Sequence, residues 1–304
     1  MKILLILLSA IGFAGLSHGA YFTNSPDADT FVRANAPTLN YGAAGALSVS
    51  GVSATNGSGV ANGAFDSFIR FNAAAMVTNF NIVFGTNNWS VTSAKIVVTE
   101  SGAPSQAVFN RGKGAFEIRW LANDIWTEGT GTPSAPTTDG LAYNNEPTLL
   151  SSSADTSLGV FPNAGSNATL SFALGLPPAF TSDLLAGGEV GFFLTAKDPK
   201  TGFTFNSQNF GTASARPFLI ISALPRPVIT SISLNTTNLT LTVTNGAAGG
   251  TYVLLASTNL ALPPLQWTPV ATNVLSVGSD FVITVTNGVS ASGTGQAFFR
   301  LQTQ

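Results

Sequence analysis

The chain has no cysteine, and its one histidine, His18, falls in an apolar leader. Once that leader is removed, the mature protein holds neither thiol nor imidazole. Disulfide staples, zinc centres built on Cys or His, and nucleophilic catalysis of the Ser-His-Asp or Cys-His kind are thereby excluded. Charge is scarce too: Asp, Glu, Lys and Arg make up 9% of 304 residues, with 12 basic and 14 acidic side chains and a formal net charge of −2. The basic residues stand singly, so no basic face for nucleic acid is expected. Solubility must rest on the abundant Ser, Thr, Asn and Gly, and stability on an apolar core. A domain of about 200 residues buries roughly 70% of its unfolded surface, enough for such a core without disulfides.

Met1 to Ala20 reads as a secretory signal. Lys2 supplies the positive start, Ile3 to Phe13 the apolar run, and Ser17-His18-Gly19 the small residues near a cleavage point. Cleavage is expected after Gly19, leaving a signal peptide of residues 1–19. The alternative is a retained anchor, but the apolar run falls short of the ~20 residues that a membrane span needs. A secreted protein, extracellular or held at the cell surface, is the expectation, without a membrane span after signal removal. No cysteine follows the leader, which excludes a lipoprotein anchor.

The remaining chain reads as nearly all β. Phe65–Phe71, Ser93–Thr99, Ala115–Leu121, Ala168–Leu174, Glu189–Ala196 and Pro217–Ser222 are short apolar or alternating runs, bounded by Gly, Asn, Ser and Pro. Many short strands without long helical periodicity predict a jelly-roll-like sandwich over residues 20–224. Two short helices interrupt it. Asn72 can cap Ala73–Phe84, with Met76, Phe80, Val83 and Phe84 on one face and Gly85 as the stop. Pro177-Pro178 opens the second, which ends at Gly187-Gly188. A connector with two prolines is expected at Ala223–Pro227. Residues 225–304 then show six short strand patterns, Ile229–Leu234, Asn238–Thr244, Thr251–Ser257, Gln266–Val270, Asp280–Thr286 and Ala297–Leu301. They predict a smaller immunoglobulin-like or fibronectin-like sandwich serving as spacer or attachment unit.

Several segments carry a family resemblance. Ala28-Asp29-Thr30-Phe31-Val32 and Asn40-Tyr41-Gly42 open the larger domain, and Phe205-Asn206-Ser207 with Arg216-Pro217-Phe218-Leu219-Ile220-Ile221 close it. Between them lie Ser67-Phe68-Ile69-Arg70-Phe71, Thr92-Ser93-Ala94-Lys95-Ile96 and Trp126-Thr127-Glu128. Together these resemble the DNRLRE, or disaggregatase-related, domain, a family of secreted β-sandwiches overlapping carbohydrate-binding module family 96. The resemblance spans roughly residues 25–222 and implies a sandwich fold and an extracellular glycan ligand. Members of family 96 bind alginate, which implies a uronic-acid polymer as one such ligand. The chain departs from the pattern where Trp126-Thr127-Glu128 runs into Gly129-Thr130-Gly131-Thr132-Pro133 in place of the usual Thr-Trp continuation. The smaller domain, through Gly250-Thr251-Tyr252, Ala256-Ser257-Thr258-Asn259-Leu260, Trp267 and Phe298-Phe299-Arg300-Leu301, resembles terminal modules of secreted verrucomicrobial and planctomycete proteins.

Candidate site residues follow from chemistry. Sugar recognition needs an aromatic platform and polar partners. Phe116, Ile118 and Trp120 alternate onto one face, which makes Trp120 a core residue. Trp126, among loop residues, is the exposed platform, with Tyr143 near it. Arg111, Lys113 and Arg119 form the local basic group that would face an acidic glycan. Asp124, Glu128 and Asp139 crowd one loop; they are either solvated turn charges or a structural Ca²⁺ site, with a catalytic acid pair as a further reading. Asp29 and Arg70 lie in the two segments that carry the resemblance and are expected to form a structural ion pair. Three functions stand open: a non-catalytic module binding extracellular polysaccharide, which leads; a structural or adhesive protein of the envelope or matrix; and a polysaccharide-cleaving enzyme.

Overall fold

The computed structural model describes residues 19–101, 108–163, 168–235, 238–286 and 297–303. Most of the expected signal peptide, His18 included, lies outside the described residues. The protein is an all-β, sandwich-like fold with two short α-helices, and it divides into two compact units. Residues 21–83 and 91–223 form the larger; residues 84–90 group with 224–303 in the smaller. Among the described residues no helix is long and apolar enough to cross a membrane.

The larger unit is built from β1 (Ala20–Asn24), β2 (Ala28–Arg33), β3 (Ala46–Ser50), β4 (Thr55–Asn56), β5 (Phe65–Asn72), α1 (Ala74–Phe84), β6 (Trp89–Thr99), β7 (Asn110–Arg111), β8 (Gly114–Leu121), β9 (Thr156–Asn163), β10 (Thr169–Leu174), α2 (Pro178–Ala186), β11 (Glu189–Ala196), β12 (Gly202–Asn206) and β13 (Phe218–Pro225). A four-stranded sheet runs β1-β13-β6-β10. A seven-stranded sheet runs β12-β3-β5-β11-β8-β9, with β2 paired to β5. The two face each other across a phenylalanine core. Phe172 of β10 meets Phe116 of β8 edge-on at 5.1 Å, and Phe203 of β12 stacks on Phe116 at 4.9 Å. Each such pair adds about 0.5–1.5 kcal/mol to the burial of its rings, which suits a core without disulfides.

Both helices form where the turn chemistry places them. The Asn72 side chain accepts from the Ala74 amide at 3.0 Å, and Gly187 ends α2 at φ 73°. The buried stripe of α1 is narrower than expected: Met76 and Phe80 are buried, whereas Val83 is half exposed. The connector is shorter as well, because β13 keeps its alternation through Pro225.

Register fixes which face each side chain takes. In β5, Ser67, Ile69 and Phe71 point to the sandwich core, and Asp66, Phe68 and Arg70 to the outer face. That outer face is not wet. The irregular segment 122–155 lies over it, and Trp126, Leu141 and Leu149 pack on Phe68, Val32, Ala28, Leu121 and Phe193. Asp155 clasps the ends of the segment, since its carboxylate accepts from the Ala122 amide at 3.0 Å and the Ser151 amide at 2.7 Å. The larger unit thus has three layers, the third made almost wholly of loop.

The smaller unit contains β14 (Val228–Asn235), β15 (Asn238–Gly246), β16 (Thr251–Ser257), β17 (Thr268–Val274), β18 (Ser279–Val285) and β19 (Phe298–Thr303). They form two antiparallel sheets, β14-β15-β18 and β17-β16-β19. The strict alternation of β15 buries Leu239, Leu241 and Val243 against Tyr252, Leu254, Phe281 and Ile283. The expected strand at Gln266–Val270 begins instead at Thr268, after a short 3-10 turn over Pro264–Gln266.

Candidate functional site

Asp29, Asn40, Gly42 and Glu128 converge, with Gln208 and Asn209, on a brace where the covering segment meets β2. Asn40, fully buried, donates through Nδ2 to the carbonyls of Glu128 (2.6 Å) and Leu141 (2.9 Å), and its Oδ1 accepts from the amides of Gly42 (3.0 Å) and Gly131 (3.2 Å). Glu128 Oε1 accepts from the Gln208 side chain at 2.5 Å and, at 3.3 Å each, from the Asn209 side chain and the Asp29 amide. Asp29 Oδ2 accepts from the Gln208 amide at 2.6 Å. The Gly129-Thr130-Gly131 segment passes against this brace. Gly129 has φ 80°, and a Cβ at Gly131 would sit 1.9 Å from the Asn40 carbonyl oxygen, so only glycine lets the chain pass so close.

This geometry corrects the expected Asp29–Arg70 pair. Asp29 lies opposite Ile69 and points inward, whereas Arg70 lies opposite Ala28 and points outward. Arg70 instead pairs with Asp27, Nη2 to Oδ2 at 2.8 Å, and approaches Glu189 at 3.3 Å. Its Nη1 donates to the carbonyls of Asp124 (3.3 Å) and Trp126 (3.0 Å), and its guanidinium stands 5.2 Å from the Trp126 ring. Arg70 therefore pins the covering segment to the sheet.

Trp126 is likewise corrected as an exposed platform. It is 8% exposed, edge-on to Phe68 at 6.1 Å and next to Arg70, so the protein itself uses its faces. Tyr143 is half-buried against the same cluster. Trp120 is in the core and donates its indole N–H to Asp183 at 2.7 Å. The basic trio does not assemble. Lys113 immediately precedes β8 and Arg119 lies within it, six residues on, roughly 20 Å at the rise of a strand. Arg111 and Lys113 are exposed, and Arg119 is half-buried and donates to the Asp155 carbonyl at 3.1 Å.

Nor do Asp124, Glu128 and Asp139 form one centre; among the described residues no group of three metal-ligating side chains is found. Each has its own surroundings. Burial, and then the charge of Asp183, raise the Asp124 carboxyl above its ordinary value. Burial also raises Glu128, inside the brace. Asp139 is exposed and held down at about 2 by the Thr137 and Thr130 hydroxyls and the Thr130 amide.

What the covering segment does form is a depression of about 400 Å³. Ile125, Leu141 and Leu149 supply apolar lining, beside Trp126; Thr127, Thr138, Asp139, Asn145 and Thr148 supply hydroxyl, amide and carboxylate groups. Ile125 is 85% exposed at its edge. None of Arg111, Lys113 and Arg119 lines it.

A second acid pair went unnoticed in the sequence. Asp66 on β5 and Glu146, in the 3-10 turn Glu146–Thr148 of the covering segment, are 7% and 8% exposed. Burial pushes Asp66 up to about 6; burial and then the charge of Asp66 push Glu146 up to about 8. The available signal was the pair Phe68 and Phe193 at outward strand positions, which marks the outer face as covered.

No family model matches the chain, and no curated protein matches it. Among solved structures it is similar to β-glucuronidase from Ruminococcus gnavus in complex with N1-substituted uronic isofagomine, at 9% identity and a TM-score of 0.25, covering 88% of this chain and 40% of that one. It is also similar to a calcium-binding mutant of Bacteroides uniformis β-glucuronidase 2, at 9% identity and a TM-score of 0.26, covering 94% of this chain and 28% of that one. The chain spans less than half the length of either. At such TM-scores neither their fold nor their activity carries over.

Proposed function

We propose that this chain is a secreted, non-catalytic module that binds extracellular polysaccharide, with the depression on the covering segment as its glycan site. The observation that carries the reading is that depression. At about 400 Å³ it lies within the range of small-ligand sites, and it sets hydroxyl, amide and carboxylate groups beside the exposed Ile125 side chain, partners for sugar hydroxyls with an apolar contact at the edge. Asp139, exposed and with its carboxyl held down at about 2 by the Thr137 and Thr130 hydroxyls, stands in its rim, and no Lys or Arg lines it. A uronate would meet like charge there, so the ligand is a neutral glycan in preference to an acidic one. The resemblance to the DNRLRE and family-96 modules supports the ligand class, and the lack of Cys and of any His beyond the leader supports a non-catalytic role.

Affinity electrophoresis of the full chain against neutral and uronic-acid polysaccharides tests this. Retardation by a neutral glycan, reduced at least tenfold in apparent affinity by Thr148→Ala or Asn145→Ala, is expected. Retardation by no glycan would favour the structural or adhesive reading, which draws on Ile232 and Leu234 standing 63% and 55% exposed along β14. Release of reducing ends would overturn the non-catalytic role.

A further inference from the structure

The smaller unit has four sheet edges among the described residues, and three of them carry a feature that discourages strand addition. β17 holds Pro269 and a register shift, β18 holds the exposed Asp280, and β19 holds the exposed Arg300. β14 differs. Val228–Asn235 contains neither a charged residue nor a proline, and among the described residues it pairs with β15 alone. Its one irregularity, between Ile229 and Ser231, leaves Ser231–Asn235 in unbroken register. That register also sets the faces. Ile232 lies opposite Leu241 and Leu234 opposite Leu239, so all four point to the core side of the sheet. Leu241 and Leu239 are buried, yet Ile232 and Leu234 stand 63% and 55% exposed; Ile229 is the β14 residue that packs on the core cluster. The core side of this sheet thus runs past its cover, and two apolar side chains lie along an open row of backbone N–H and C=O groups.

We infer that this edge pairs with the same edge of a second copy of the chain, β14 against β14, antiparallel about a twofold axis at Ser233. The strand is complementary to itself in that register. Ile232 meets the partner's Leu234, Leu234 meets the partner's Ile232, and Ser231 meets the partner's Asn235, so apolar side chains share one side of the pair and polar ones the other. A register centred on Ile232 would instead set Leu234 against the partner's Thr230, at the irregularity, and lose the match. With no charge along it, β14 has nothing to repel a copy of itself and no counter-charge to select a charged foreign strand. Pairing would join two three-stranded sheets into one of six and line up the Ile232 and Leu234 side chains as a continuous apolar strip on its core side. Five residues a side make a small interface, so the pair exchanges with the monomer. The pairing does not rest on the polysaccharide reading; with the proposed glycan site on each copy, the pair would be bivalent.

Sedimentation equilibrium of the full chain should show a reversible monomer–dimer exchange with a dissociation constant between about 1 μM and 1 mM, the weak range of small interfaces. Ile232→Lys puts a charge into the apolar strip twice per dimer and should weaken association about tenfold or more, at an unchanged Tm because the side chain is exposed in the monomer. Val282→Lys, at an exposed apolar position of β18, should leave association within about twofold. The lack of cysteine allows a direct test of register. Directly opposed residues of an antiparallel pair have Cα atoms about 4.5–5.5 Å apart, within the reach of a disulfide. Under mild oxidant Ser233→Cys should therefore give a covalent dimer, whereas Ser231→Cys, opposite the partner's Asn235, should stay reduced. A monomer throughout the concentration range, or association unchanged by Ile232→Lys, would overturn the pairing, and equal cross-linking of the two cysteine variants would overturn the register. A chain that pairs but binds no glycan keeps this edge and loses the polysaccharide reading. One that binds glycan and stays monomeric loses the pairing alone.

Discussion

The two buried acid pairs of the larger unit stand in opposite surroundings. Asp29 and Glu128 sit where β2, the covering segment and the loop after β12 meet, and backbone and side-chain N–H groups converge on them. Asp66 and Glu146 sit between the sheet and the 3-10 turn, where the neighbouring polar groups are a hydroxyl and a phenol. The first arrangement gathers Asp29, Asn40 and Glu128 with Gln208 and Asn209, and it still leaves the Asp29 Oδ1 atom buried without a hydrogen-bond partner. In the second, burial raises both carboxyls, Asp66 to about 6 and Glu146 to about 8, and the Glu146 Oε2 atom has no hydrogen-bond partner.

The sharpest way to break the comparison is to dismantle the brace. Asn40→Ala removes four buried hydrogen bonds and leaves the Gly42 and Gly131 amides and two carbonyls without their partner. With net contributions of ~1 kcal/mol per bond and a further penalty for unsatisfied groups, the loss should be about 3–5 kcal/mol in urea unfolding. A loss below ~1 kcal/mol would mean that the brace is dispensable and that the resemblance marks something else.

A smaller effect is expected from Arg70→Met. The ion pairs to Asp27 and Glu189 are about a third exposed on their acidic side and contribute little. The donations to the Asp124 and Trp126 carbonyls and the contact with the Trp126 ring hold the segment down, so a loss of about 2 kcal/mol is expected. Glycan affinity measured on the folded fraction should stay within a factor of a few. A folded variant of unchanged stability that no longer bound glycan would make Arg70 a ligand residue.

How much of this was legible in the sequence differs between the layers. Short apolar or alternating runs bounded by turn residues gave β8, β11 and β15 almost residue for residue; of the three, β15 keeps the period of two that one buried face imposes, whereas β8 and β11 are buried on both faces. The partner of Arg70 was not legible. A shift of one residue in register moves a side chain to the other face, and no pattern within β2 or β5 states that register. Trp126 misled for a related reason. Asp124-Ile125-Trp126-Thr127-Glu128 has the polarity of an open loop, and its burial depends on Phe68 and Phe193, distant in sequence. The same cover hides Asp66 and Glu146: an acid at an outward strand position reads as solvated until a loop is laid over it.

The smallest effect, and the one of opposite sign, belongs to Asp29. Its carboxyl is raised well above the ordinary 3.8, by burial first and also by the charge of Glu128, against the lowering action of the Gln208 amide and Arg216. The folded state therefore holds a proton that the unfolded chain releases near pH 4. The stability this group contributes is full below that pH and is lost as pH rises through the raised folded value. Asp29→Asn keeps an oxygen for the Gln208 amide and removes the ionisable group. Urea unfolding at pH 4 and pH 7 should show the substituted chain gaining on the unsubstituted one toward pH 7. An equal difference at the two pH values would mean that Asp29 is ionised in the fold, with the N–H groups of the brace fully offsetting its burial.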